Sequence, residues 1–330
     1  MEKSLLWEAL GQLTPSERKR FAAFVHSPYY NSQPQVAAFF DRLAAQTWEQ
    51  GKSPNKEALH QQLYPDRPYD DHRIRLLMSK LLKLLEGFWQ VECLEPQHPW
   101  ARASAYRKRG LPRHFHRAIR QARKQLEQQP GRSDTYYFNQ YLLSAEAYRH
   151  LAQQKRAHPL NLEETALQLD AFYSIAKLRQ ACLAKSHQMV YPAEYKLGLV
   201  EDLVKYLSES PLRKSPAVAA YYHGYHFLYE KERQADHFQQ YLALIDGPTA
   251  HVFPDEERQG LFLLALNFCT RQYNQGSRGY LNAQLRLYQI GLEQKFLLQN
   301  GQLSRFTYRN ITTLGLILEA YDWVEQFLEA

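Results

Sequence analysis

Apolar residues recur with the 3.6-residue period of an α-helix along most of the chain. Over the first 95 residues they predict five helices, at about 3–12, 15–26, 35–48, 54–64 and 70–94. The fifth helix is apolar on several sides, with Ile74 and Leu81 on one stripe and Trp89 beyond it. Because such a helix is normally buried between its neighbours, we expect a five-helix N-terminal module, residues 1–95, built around it.

Capping signals and prolines predict several helix ends. In Thr14-Pro15-Ser16-Glu17 the Thr14 hydroxyl can accept from the Glu17 amide while the Glu17 side chain reaches back, which predicts a capping box. Residues 97–100 (Gln-His-Pro-Trp) predict a joint, and longer helices are expected beyond it, near 111–128, 133–154, 162–189 and 194–208. We therefore divide the chain into residues 1–95 and a second domain, 96–330.

The last third of the chain predicts paired helices. Gly224, Ala265 and Gly315 each lie within an apolar helical segment, separated by 41 and 50 residues, and a second apolar helix follows each of them. Small residues let neighbouring helices approach closely, and stacked helix pairs of this kind form α-solenoids. The sequence thus predicts an all-α fold in which antiparallel helical hairpins follow the N-terminal module.

Parts of this region resemble a known repeat family. Leu314-Gly315 followed by Tyr321-Asp322-Trp323 resembles the small-residue helix and turn of a tetratricopeptide repeat, and residues 287–293 resemble the end of such a repeat's second helix. The resemblance implies a tetratricopeptide-like α-solenoid from about residue 215 to 330, although the spacing exceeds the family's period of about 34 residues and Gln326 stands near an expected small position. Residues 13–17 and 27–31 also resemble an uncharacterised group of bacterial helical proteins, which implies no function.

Composition indicates the size of the core and the cellular compartment of the protein. The chain has 330 residues, of which 45% are hydrophobic, enough for a large core. No apolar run approaches the roughly 20 residues that span a bilayer, and the N-terminal apolar run contains acidic residues and lacks a cleavage site. Cys93, Cys182 and Cys269 are far apart, without metal-ligand spacing. We expect a cytoplasmic protein that does not enter the membrane.

Familiar catalytic motifs are missing from the sequence. It contains no phosphate loop, dinucleotide fingerprint, HExxH or nucleophile elbow. His223 and His226 could share a helix face, but they supply two of the three protein ligands that a catalytic zinc normally takes. We therefore predict a non-enzymatic protein with no catalytic residue, no metal and no cofactor. An enzyme with an unfamiliar site is the remaining alternative.

The sharpest local feature is a cluster of positive charge. The chain carries a net charge of +7, and residues 96–126 contain nine basic residues and no acidic one. Arg113, Arg117, Arg120 and Lys124, which we call the basic ridge, fall on one face of the predicted helix. Such a ridge could bind the phosphates of a nucleic acid or an acidic protein segment. The alternative is a solvated face whose counter-charges come from neighbouring helices.

A second candidate surface is aromatic. Tyr221, Tyr225 and Tyr229 repeat every four residues, and tetratricopeptide register would turn some of them toward the concave groove. Tyrosine suits peptide recognition because it offers a large rigid ring and a hydroxyl. The alternative is that these rings pack in the core between helices, as aromatic rows at helical spacing usually do.

These features favour an intracellular scaffold or adaptor that binds a protein or peptide through a helical-repeat surface. A nucleic-acid-associated regulator that uses the basic ridge is the alternative function. The sequence ends inside a second helix without a polar capping helix, so we expect its last face to pack on something else, such as another copy of the chain, or the natural protein to be longer.

Overall fold

The computed structural model describes residues 3–49, 54–94, 98–153 and 159–329. Within them it contains sixteen α-helices, short 3₁₀ and π-helical turns and one hairpin of two-residue strands, which confirms the all-α class. The chain divides into two compact units, Met1–Pro99 and Trp100–Ala330. This boundary lies slightly beyond the predicted one, and residues 95–97 are outside the described ranges. No described helix is both long enough and apolar enough to cross a membrane.

Five α-helices form the first unit, with a π-helical turn at Ala45–Glu49. They are α1 (Leu5–Gly11), α2 (Pro15–His26), α3 (Pro34–Ala44), α4 (Lys56–Leu63) and α5 (Asp71–Leu94). α5 packs against each of the other four helices. Its residues Ile74, Leu81 and Leu85 have no exposed surface. The predicted position of the fifth helix at the centre of this unit is therefore confirmed.

The predicted capping box at the start of α2 is present. The Glu17 amide donates to Thr14 Oγ1 at 3.3 Å, and the Thr14 amide donates to Glu17 Oε2 at 2.8 Å. α4 begins slightly later than predicted, because the Asn55 side chain caps it by accepting from the Glu57 amide at 2.8 Å. The local hydrogen-bonding capacity of polar side chains thus fixes both helix starts.

The second unit contains the remaining helices and the short hairpin. Its elements are α6 (Pro99–Lys108), α7 (Pro112–Gln128), α8 (Asp134–Leu151), α9 (Leu162–Gln188), α10 (Val200–Glu209), α11 (Pro216–Tyr229), α12 (Gln234–Ile245), α13 (Asp255–Asn274), α14 (Leu281–Glu293), β1 (Leu298–Gln299), β2 (Gln302–Leu303), α15 (Arg305–Ile317) and α16 (Tyr321–Glu329). α8 packs on α9 and α9 on α11, and pairs then form between α11 and α12, α13 and α14, and α15 and α16.

The three small positions of the last third lie at close helix contacts, as the sequence predicted. A Cβ at Gly224 would lie 3.2 Å from Cys182 Sγ and 3.4 Å from the Tyr241 ring. Ala265 is completely buried. A Cβ at Gly315 would collide with the Val324 side chain. The contact is therefore tight at Gly224 and too close for a larger side chain at Gly315.

Two segments differ from the sequence-based expectation. Pro99, predicted to lie in a joint, instead opens α6, where its missing N–H costs nothing in the first helical turn. The helix predicted from residue 194 begins only at Val200, because Gly198 and Leu199 adopt left-handed conformations with φ of 47° and 56°. Residues 191–199 are consequently non-helical and lie beside the tyrosine row of α11.

Candidate partner-binding surfaces

The basic ridge is exposed along its whole length on α7. Arg113, Arg117, Arg120 and Lys124 are all exposed. The opposite side of the helix is buried in a small core shared with α6 and α8, and consists of Phe115, Ala118, Ile119, Ala122 and Leu126. The two predicted faces of this helix are therefore confirmed, because burial of the apolar face leaves the basic residues no position except the outer surface.

Neighbouring acids neutralise only part of the positive charge near the ridge. Arg107 Nε donates to Glu146 Oε2 at 2.7 Å, and Arg123 Nη2 donates to Glu164 Oε1 at 2.8 Å. The four ridge side chains form no ion pair with any acid in the described ranges, although Glu127 follows Lys124 on the same face of the helix. Direct ion pairs with other helices thus hold Arg107 and Arg123, whereas no acid in the described ranges lies within ion-pair distance of the four ridge side chains.

The buried carboxylate of Glu146 forms strong ion pairs with the neighbouring arginines. It is 1% exposed, and burial alone would raise its pKa. Hydrogen bonds from Arg107 and from Arg149 outweigh that effect and lower the pKa of Glu146 below its usual value. Arg107 is therefore part of the folded core, whereas the ridge residues are available to another molecule.

The tyrosine row does not form one surface. Tyr221 is 4% exposed, and its hydroxyl donates to Glu257 Oε1 at 2.8 Å. Burial raises the pKa of both Tyr221 and Glu257, which keeps the phenol protonated and suits this hydrogen bond. Tyr221 thus packs between α11 and α13, as the core alternative predicted, and is too deeply buried to contact a partner in this conformation.

Tyr225 and Tyr229 lie at the edge of the core beside the non-helical segment 191–199. Their rings stack with centroids 4.6 Å apart, and the Lys185 ammonium lies 4.7 Å from the centre of the Tyr229 ring. The Tyr229 hydroxyl donates to the Ala181 carbonyl at 2.9 Å. The Tyr225 hydroxyl has no hydrogen-bond partner within the described ranges, and burial followed by the nearby Glu201 carboxylate raises its pKa. Burial likewise raises the pKa of Tyr229 to about 12.

These two tyrosines line an open cavity of about 470 Å³, which we call the tyrosine cavity. Its other walls come from the end of α9, the 191–199 segment and the first turn of α10, and consist of Gln188, Tyr195, Leu197, Gly198, Leu199, Val200, Glu201 and Asp202. Sequence reasoning did not find these residues, because it placed helix where the chain turns through two left-handed residues. Gly198 is the signal that could have shown the turn.

Three histidines meet in a second, more polar cavity of about 550 Å³ between α11 and α12. His223 Nδ1 lies 2.8 Å from His237 Nδ1, and the His226 ring stacks on His237 with centroids 4.3 Å apart. The sequence indicated His223 and His226 but not His237, which only the pairing of the two helices brings close. No group of three or more His, Cys, Asp or Glu residues in the described ranges is arranged to hold a metal ion.

Comparison with known proteins adds no relative to this picture. Neither the family models, nor the curated proteins, nor the solved structures include a match to the chain.

Proposed function

We propose that this protein is a non-enzymatic, cytoplasmic scaffold or adaptor that binds a protein or peptide partner. In this proposal the helix pairs from α11 to α16 form a tetratricopeptide-like α-solenoid. Support comes from the succession of packed pairs and from the small residues at their contacts. Stacked helical repeats present extended surfaces that bind other chains, and they need no catalytic group to do so.

The tyrosine cavity is the observation that carries the proposal. It combines the stacked rings of Tyr225 and Tyr229, the Tyr225 hydroxyl, which has no hydrogen-bond partner among the described residues, and the carboxylates of Glu201 and Asp202. Aromatic faces attract cations, and Lys185 already occupies one such position over Tyr229. A basic side chain of a peptide would therefore find an aromatic wall and two carboxylates in this cavity. The proposed partner is a segment that presents lysine or arginine here.

Selection from a random displayed-peptide library, with the full chain as bait, tests this function. We expect the enriched peptides to share a lysine or arginine, and their affinity to fall about fivefold in Glu201→Gln, which removes one exposed carboxylate. Glu209→Gln, an exposed change at the other end of α10, is the matched control and should bind as the native chain does. The proposal fails if no shared motif emerges, or if the two variants bind equally well.

A second surface also favours protein contact. Phe306 is 82% exposed on α15, and Tyr321 and Leu328 are 58% and 50% exposed on α16. Exposed large apolar side chains are typical of protein–protein contacts. In the proposal the α15–α16 pair binds a second copy of the chain. Sedimentation velocity at rising concentration should show a dimer that Phe306→Ser weakens, and a strictly monomeric chain at about 100 µM would exclude self-association of functional strength.

A further inference from the structure

The basic ridge carries an inference that does not depend on the tyrosine cavity. Three more exposed cations, Arg102, Lys108 and Arg109, lie on α6 and directly after it, close in sequence to the four of the ridge. Seven exposed cations thus lie within 23 residues that contain no acid. Glu127 is the acid that follows this segment on the same face of α7, so a large excess of positive charge remains, and such an excess attracts a polyanion.

The rest of this face lacks the groups that hold a protein partner. Protein interfaces draw most of their binding energy from aromatic or aliphatic anchors in desolvated positions. On α7 the large apolar residues Phe115, Ile119 and Leu126 are all buried, and Leu111, at 39%, is the one strongly exposed large apolar side chain between residues 99 and 128. The face therefore offers charge without apolar contact, which is the character of a surface that binds a phosphate backbone.

The lack of exposed Trp, Tyr and Phe rings on the described helices α6 and α7 favours double-stranded over single-stranded nucleic acid as the ligand. Proteins that hold single strands stack the bases on exposed aromatic rings, each worth about 1–3 kcal/mol. In α6 and α7 the rings of Trp100, Tyr106 and Phe115 are buried or half-buried and form the internal core of the pair. A duplex needs no such platform, and its phosphates are more densely spaced than those of a single strand.

The dimensions of the ridge suit a duplex backbone. A helix rises about 1.5 Å per residue, so the cations from Arg113 to Lys124 form a straight row about 16 Å long. One strand of a duplex places about five phosphates along that length. Three of the four side chains are arginines, whose planar guanidinium group binds phosphate oxygens through two hydrogen bonds. We propose that the basic ridge on α7 binds the phosphate backbone of double-stranded nucleic acid, without reading its sequence.

Fluorescence anisotropy with the full chain tests this inference. The probes are a labelled 20-base-pair DNA duplex, an RNA duplex of the same sequence, each strand alone, and a polyglutamate peptide of similar charge. With about four phosphates neutralised, duplex affinity should fall roughly 150-fold between 50 and 200 mM salt. DNA and RNA duplexes should bind similarly, and both more tightly than single strands or polyglutamate.

A pair of matched variants locates the site. The first changes all four ridge residues to glutamine, and we expect it to lose at least tenfold in duplex affinity and most of the salt dependence. The second removes the same net charge elsewhere on the surface of this unit, through Lys205→Gln, Arg278→Gln, Arg305→Gln and Arg309→Gln. It should bind nearly as the native chain does, because these residues lie on other helices and loops.

Several results would overturn the inference. Tighter binding of single strands would indicate a stacking site elsewhere, and tighter binding of polyglutamate would reassign the ridge to an acidic protein segment. Equal losses in the two variants would show only a general effect of net charge. Because none of these results involves the tyrosine cavity, failure here leaves the proposed adaptor function to be judged by its own test.

Discussion

The basic ridge of α7 and the tyrosine row of α11 both follow from residues of one type at helical spacing, but the fold exposes the first and buries most of the second. The four ridge side chains are all exposed, whereas Tyr221 and Tyr225 are 4% and 8% exposed. The difference lies in the rest of each helix. α7 has one apolar face and one polar face, whereas eleven of the fourteen residues of α11 are buried.

Spacing therefore defines a surface only when the remaining positions of the helix differ in polarity. On α7, burial of Phe115 and Leu126 leaves only one orientation for Arg117. On α11, neighbours lie on nearly every side, so the tyrosine spacing indicates which residues share a face but not whether that face meets solvent. Substitutions on the two helices therefore test this contrast.

Replacing Tyr221 with alanine should cause the largest loss of stability. The change removes a buried ring and leaves the Glu257 carboxylate, itself 6% exposed, without its hydrogen-bond donor. We expect the free energy of unfolding to fall by about 4 kcal/mol in urea titrations followed by circular dichroism. Tyr206→Ala, at a tyrosine that is 48% exposed on α10, should change it by less than about 0.5 kcal/mol. Similar values for the two variants would place Tyr221 at the surface.

Two arginines of the basic segment should respond differently to the same substitution. Arg107→Gln leaves the buried Glu146 carboxylate with Arg149 as its remaining ion-pair partner among the described residues, which should cost about 2 kcal/mol in the same urea titration. Arg117→Gln, on the ridge, should cost almost nothing, because no acidic side chain in the described ranges depends on it. If Arg117→Gln lowered the free energy of unfolding as much as Arg107→Gln does, Arg117 would have an acidic partner, and the description of the ridge as unpaired in the described ranges would be wrong.

The three histidines in the cavity between α11 and α12 should make the protein less stable in mild acid. Burial, with the neighbouring His237, His226 and Arg213, lowers the pKa of His223 to about 4. An unfolded histidine has a pKa of about 6.5, so the unfolded chain binds the proton first and stability falls as pH drops from about 6.5 toward 4. After allowance for partial exposure of the ring, the expected loss is about 1 kcal/mol.

The native chain and His223→Gln, compared at pH 7.5 and pH 5, isolate this contribution. The variant should show a shallower decline, while His251→Gln, at an exposed histidine, should decline as the native chain does. Parallel curves for all three proteins would mean that His223 has the same pKa in the folded and unfolded chains.

Local signals predicted much of the fold. The capping box at Thr14 and Glu17, the buried α5, and the small positions Gly224 and Gly315 depend on hydrogen bonds or contacts that residue type and spacing strongly determine. The errors lie where one residue has two meanings. Proline is common both after a helix and at its first position, and Pro99 begins α6. Residues 194–199 were predicted to be helical, but Gly198 and Leu199 adopt left-handed conformations that exclude a helix there.

The candidate sites were predictable to different degrees for a related reason. The ridge lies on one amphipathic helix, so the sequence of that helix alone predicts that the ridge is exposed. The tyrosine cavity joins α9, α10 and α11, and His237 reaches His223 only through the packing of α12 on α11. Contacts between residues of different helices depend on how those helices pack, and a single sequence without repeats of known geometry does not define that packing.

The smallest expected effect has the opposite sign to most substitutions. Arg113 and Arg117, Arg117 and Arg120, and Arg120 and Lys124 are like charges three or four residues apart, and each such pair destabilises a helix by about 0.2–0.5 kcal/mol. At the lower end of that range, the three pairs together make the variant with all four ridge residues changed to glutamine about 0.6 kcal/mol more stable than the native chain at low salt. The difference should disappear near 1 M salt, where the screening length falls to about 3 Å. A destabilised variant would mean that the ridge takes part in internal ion pairs, and the contrast between the ridge and Arg107 would then be lost.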